Sequence, residues 1–126
     1  MKSAHDLVLA AKSQTREISL DQAEEAIREA DLLIDVRESE EFAAGHIPGA
    51  IHMSRGTLEF KMSSNPALAA RDIKLVVYCK TSGRAALCCA ALKEMGYLNA
   101  QSIAGGFDAW AAAGKPVAKP PVTPFE

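Results

Sequence analysis

The chain has no apolar run of the roughly 20 residues that a bilayer-spanning helix needs. Stretches such as Leu7-Val8-Leu9-Ala10-Ala11 and Leu32-Leu33-Ile34 break off after a few positions. A basic excess is also lacking: 14 Lys and Arg stand against 16 Asp and Glu, for a net charge of -2. That balance offers no positive field for non-specific nucleic-acid binding, although a local basic cluster remains open. Cysteine is scarce. Cys79, Cys88 and Cys89 are an odd number, which argues against a disulfide framework, and no CxxC or zinc-ligand spacing occurs. Reduced thiols in a reducing compartment are the simpler reading. The N-terminal stretch is too short and too interrupted for a signal peptide. The sequence therefore predicts a cytoplasmic protein with no membrane or nucleic-acid partner, no metal and no cofactor. No internal repeat is visible.

What is present suits one ordinary domain. The chain has 126 residues, 48% of them hydrophobic, which is enough for a single core. Residues 3–13 read as a helix with an apolar stripe of Ala4, Leu7, Val8 and Ala11. Ser19 with Gln22 is a capping-box signal for a helix ending near Ala30. Two short apolar runs, Leu32 to Val36 and Leu75 to Cys79, read as buried strands. A helix from Glu38 to Ala44 follows the first. Residues 55–70 read as one or two short helices around Asn65-Pro66. Ala85 to Met95 is a strong Ala- and Leu-rich helix stopped by Gly96. Gln101 to Ile103 reads as a third strand and Phe107 to Ala113 as a closing helix. Strands alternating with helices predict an α/β fold, a central mostly parallel sheet with helices on both faces. The expected organisation is an N-terminal helical extension over 1–17, a domain over 18–116 and a Pro-rich tail over 117–126.

Cys79 ends a buried strand and a helix begins a few residues later. Between them lies the polar loop Lys80-Thr81-Ser82-Gly83-Arg84. Ligands of open α/β sheets bind beyond the carboxyl ends of strands, where loop amides and a helix N-terminus offer positive potential. Arg84 adds a guanidinium. A lone Cys at a strand end is usually a small core residue, but this order of strand, Cys, polar loop, Arg and helix makes a nucleophilic thiolate beside an anion cradle. Cys88 and Cys89, inside the helix, read as packing residues. Asp35 and His46 do not read as an acid–base pair, because a thiol that is already ionised needs no proton removed. Trp110 reads as a core anchor.

Four segments together resemble the rhodanese family: Asp35-Val36-Arg37 with Glu41-Phe42; Gly45-His46-Ile47-Pro48-Gly49-Ala50; Cys79-Lys80-Thr81-Ser82-Gly83-Arg84; and Gly105-Gly106-Phe107-Asp108-Ala109-Trp110. They span about Ser19 to Pro116. His52 to Gly56 with Leu58-Glu59, and Cys79-Lys80-Thr81, are similar to the polysulfide sulfurtransferases within it. The resemblance implies sulfur transfer through a Cys79 persulfide. It implies Arg37, Arg55, Lys80 and Arg84 as cations for the substrate, with Thr81, Ser82 and Gly83 completing the cradle. Polysulfide and thiosulfate are both dianions that would suit such a pocket. Arg37 has an alternative reading as an ion-pair partner of Asp35 or Glu41. The expected partners are a small anionic sulfur donor and a thiol, cyanide or protein acceptor. A homodimer is a further option: the N-terminal stripe either caps the domain itself or meets a second subunit. Two alternatives stand beside sulfur transfer. One is a non-catalytic interaction module. The other is a phosphatase or arsenate reductase, whose family loops resemble this one but hold one residue more than the four between Cys79 and Arg84.

Overall fold

The computed structural model describes residues 1–120; the end of the expected tail, 121–126, lies outside the described residues. Six α-helices and five strands alternate in the order α1 (Ala4–Gln14), β1 (Arg16–Ile18), α2 (Leu20–Glu29), β2 (Leu32–Asp35), α3 (Ser39–Ala44), β3 (Ile51–His52), α4 (Leu58–Ser64), β4 (Leu75–Tyr78), α5 (Gly83–Glu94), β5 (Ala100–Ile103) and α6 (Gly106–Ala112). A 3-10 turn at Pro66–Leu68 follows α4. The helix starts obey local chemistry. Ser3 and Asp6 form a reciprocal capping box on α1, and Ser19 N–H donates to Gln22 Oε1 at 3.1 Å on α2.

All five strands pair in parallel, in the order β1-β5-β4-β2-β3. Helices cover both faces, as the alternation predicts. Alternate residues of the central strands divide between two cores. Ile34, Val77 and Cys79 pack with Leu58 and Met62 of α4 and Cys88, Cys89 and Leu92 of α5. Leu33, Val76 and Tyr78 pack with Ala23 of α2 and Trp110 of α6. Two strands exceed the sequence reading. β1 and β3 are three and two residues long and lie at the sheet edges. Each is too short to show a period, and β1 buries only Ile18.

α1 packs along α5. Ala11 of the expected stripe is buried and Leu7 is half exposed, so the domain itself covers part of that stripe. The arm after α6 is held down at its start. Trp110 Nε1 donates to Pro116 O at 2.7 Å, and His46 and Ala118 exchange backbone hydrogen bonds of 2.9 and 2.8 Å. Among the described residues no helix is long and apolar enough to cross a membrane.

Candidate active site

β4 and β2 are neighbours whose connections leave in opposite directions, toward β5 and β3. Such a switch point leaves a crevice at the carboxyl ends of the two strands. Cys79 follows β4 into that crevice, and the segment leading to α3 follows β2. Concave space also exists elsewhere. A cavity of about 370 Å³ bordered by Arg16, Lys74 and Asn99 opens at the amino ends of β1, β4 and β5, the edge remote from Cys79. Its mixed charges and its position at the wrong strand ends give it no role in this chemistry.

The loop after Cys79 is shaped by α6. Phe107 N–H donates to Cys79 O at 2.8 Å and Asp108 N–H to Lys80 O at 3.0 Å. These bonds hold the loop carbonyls toward α6. Gly106 makes the approach possible: at φ +56° it would place a Cβ 2.4 Å from both Cys79 O and Thr81 O. Cys79 is 1% exposed, and its Sγ accepts from Ala85 N–H at 3.3 Å. For the amides of residues 80–84 no acceptor is found among the described residues. The amide seated on the sulfur belongs to Ala85, the third residue of α5 and one beyond the expected polar loop. Cys88 and Cys89 contrast with Cys79. Burial pushes each of their thiols up to about 12, so neither is a competing thiolate near neutral pH.

Three of the four expected cations hold carboxylates. Arg37 is 4% exposed and its partner Asp35 is 0%. Arg37 Nε and Nη2 donate to Asp35, and Nη2 also donates to Gly45 O at 2.6 Å. Its guanidinium lies over the Phe107 ring, 4.3 Å from the centroid. Arg37 thus ties the end of β2 to the turn at Gly45, and its ion-pair reading with Asp35 is the one realised. Arg84 forms a two-pronged pair with Glu41, at 2.7 and 3.1 Å. Lys80 meets Asp108 at 2.6 Å, but both side chains are about half exposed, so the pair exchanges readily with solvent. Arg55 is exposed and has no ion pair among the described residues. Its N–H donates to Val36 O at 3.0 Å, which seats it beyond the carboxyl end of β2. The Arg84–Glu41 partnership was not read from the sequence, although Glu41 stood among the motif residues. The hydrogen bond made by Tyr78 was not read from the sequence either. Its buried hydroxyl accepts from Ile47 N–H at 3.0 Å, bracing the Gly45–Ala50 turn.

The description of the rhodanese-like domain matches residues 19–113. The chain belongs to the rhodanese-like family. A thiosulfate sulfurtransferase, GlpE, of Haemophilus influenzae is 33% identical over 103 residues, covering 81% of this rhodanese-like chain and 93% of the relative. The solution structure of a polysulfide-sulfur transferase homodimer from Wolinella succinogenes is 34% identical with a TM-score of 0.74, covering 90% of this chain and 85% of that one. A protein of unknown function from Rhodopseudomonas palustris, described as a possible tyrosine phosphatase, is 26% identical with a TM-score of 0.83, covering 94% and 96%.

The Glu41 pair gives this rhodanese-like domain an acid-sensitive brace. The hydrogen bond from Arg84 holds the Glu41 carboxyl down at about 2, against an ordinary 4.5. A lowered folded-state pKa adds stability that is present above the ordinary value and is lost as pH falls toward the folded value. Because both side chains are near one-third exposed, we expect about 1 kcal/mol. Chemical denaturation from pH 5 down to about 2 should show this loss in the wild type. Glu41→Gln should be flatter over that window; parallel curves would disprove the brace.

Proposed function

We propose that the protein is a sulfurtransferase that carries sulfane sulfur as a persulfide on Cys79. The seating of Cys79 carries this reading. Its sulfur follows β4 into a loop whose Cys79 and Lys80 carbonyls are held by α6, with an amide donor on the sulfur and loop amides at 80–84 that have no acceptor among the described residues. That is a cradle for a sulfur anion. The thiolate attacks the outer sulfur of the donor, a bond forms from Cys79 Sγ to that atom, and the donor's sulfur–sulfur bond breaks. The leaving group, sulfite from thiosulfate or a shortened polysulfide, departs with the electron pair. A thiol, cyanide or a protein thiophile then attacks the outer sulfur and restores the thiolate. No net oxidant or reductant is needed, and two half-reactions predict ping-pong kinetics.

The donor we favour is polysulfide, with thiosulfate second. The preference is supported by the similarity to a polysulfide-sulfur transferase and by Arg55 and Lys80, whose charges are available to a longer dianion. The relative named for thiosulfate keeps the second donor in view. Arg84, fixed by Glu41, borders the cradle, and Thr81, Ser82 and Gly83 line it. Arg37 is assigned a structural part. The homodimer of the polysulfide enzyme supports self-association here as well. A reducing compartment such as the cytoplasm suits a free thiol. The competing phosphatase reading draws on the Rhodopseudomonas protein, and the four-residue spacing from Cys79 to Arg84 weighs against it.

Intact-protein mass spectrometry after separate incubation with polysulfide and with thiosulfate tests the proposal. Mass gains of one or more sulfur atoms, located on Cys79 and removed by cyanide, are expected, with polysulfide reacting faster. No gain from either donor, together with turnover of an aryl phosphate, would replace this reading with the phosphatase one.

A further inference from the structure

α1 lies outside the residues that match the family description, yet it reaches the site. Lys12 Nζ donates to Ser82 Oγ at 2.8 Å. The lysine is steadied by Glu17 Oε2 at 3.7 Å. Around it α1 is fastened to α5. Val8 stands 3.3 Å from where a Gly83 Cβ would lie, and Lys93 Nζ donates to Gln14 O at 2.9 Å.

Ser82 is the residue that opens α5. A serine there ordinarily turns its oxygen onto the N–H of the second or third helical residue. In α5 the third residue is Ala85, whose N–H is the one on Cys79 Sγ. A Ser82 Oγ turned onto that third amide would compete with Cys79 Sγ for the donor. Ser82 makes no side-chain cap, and its backbone, at φ -147° and ψ -23°, is outside the extended region that capping residues usually adopt. An ammonium group can only donate, so Lys12 takes one of the two acceptor lone pairs of the serine oxygen and draws that oxygen toward α1.

We propose that Lys12 is a positioning residue that draws Ser82 away from its capping role and so reserves the Ala85 amide for the sulfur of Cys79. The N-terminal helix thereby becomes part of the active site: sequence outside the family match sets how well the nucleophile's anion is stabilised. This rests on Cys79 being the reactive thiol, as in the sulfurtransferase reading.

The test is the rate of Cys79 alkylation by iodoacetamide at neutral pH, with the site of labelling checked by peptide mass spectrometry. Lys12→Met should slow it about fivefold, the worth of one hydrogen bond to the reacting anion. Adding Ser82→Ala to Lys12→Met should bring the rate back toward the wild type, because the competing oxygen is gone. Lys12→Arg, which still donates, should stay near the wild type. An unchanged rate in Lys12→Met would overturn the proposal. So would a double variant as slow as Lys12→Met, since the lysine would then act by charge alone. Alkylation uses no sulfur donor, so this result stands apart from the persulfide experiment: failure to form a persulfide would sink the functional reading without deciding the role of Lys12.

Discussion

Cys79→Ser should fold as the wild type does and lose sulfur transfer by at least about 10³-fold, the scale seen when a covalent nucleophile is removed. Serine is smaller than cysteine and keeps an oxygen to accept the Ala85 N–H, so the buried site remains satisfied. Its hydroxyl is not ionised near neutral pH, and no side chain among the described residues takes a proton from Cys79 in the arrangement found. The two remaining thiols cannot substitute. Both are buried in α5, and that burial pushes their thiols up to about 12, so neither offers a thiolate near neutral pH. Steady-state transfer to cyanide, with circular dichroism to check the fold, measures the loss. Transfer at near wild-type rate in Cys79→Ser would mean that sulfur is carried elsewhere and would sink the persulfide mechanism.

Gly106→Ala should be the most disruptive single-methyl change near the site. Two independent costs combine. A φ of +56° is left-handed backbone, which costs a residue with a Cβ roughly 1–2 kcal/mol. The added carbon would also fall 2.4 Å from Cys79 O and Thr81 O and 2.8 Å from Lys80 O. These are backbone atoms and cannot swing aside like a side-chain tip. Either α6 or the loop must retreat, which breaks the Phe107 and Asp108 bonds that hold the loop carbonyls. We expect about 3 kcal/mol of lost stability. Misplacing the loop by about 1 Å should cost a further hundredfold in persulfide formation. Gly114→Ala is the matched control: Gly114 is also left-handed, at φ +75°, but nothing lies within 4 Å of its absent Cβ. It should lose only about 1 kcal/mol and keep its rate. Denaturant midpoints and persulfide formation together check the pair. Wild-type values in Gly106→Ala would show that α6 does not shape the loop.

These expectations draw unequally on sequence and structure. The central strands were legible because Leu32-Leu33-Ile34 and Leu75-Val76-Val77 are apolar on both faces, the mark of buried parallel strands. The α5 helix was legible from Ala85 onward; its first turn was not, because Gly83 and Arg84 carry no apolar period. The edge strands were too short to signal, and their pairing depends on partners about 17 to 85 residues away. The fate of the cations shows the same division. The sequence marks Arg37, Arg55, Lys80 and Arg84 as charges near strand ends, but an ion pair is chosen by distance in space. Asp35, Glu41 and Asp108 made those choices for three of them.

Cys79 itself sits between the two. The order of residues around it, a buried strand, a thiol, a short polar loop and a helix, determined by itself that the thiol stands at a strand's carboxyl end beside backbone amides. This followed because strand and helix periods are local properties of the chain. Only the tertiary structure decided which amide faces the sulfur, which carboxylate holds Arg84, and that Lys12 reaches Ser82 across 70 positions of sequence. Those contacts depend on how α1, α3 and α6 pack against the loop, and packing joins residues that no local pattern links.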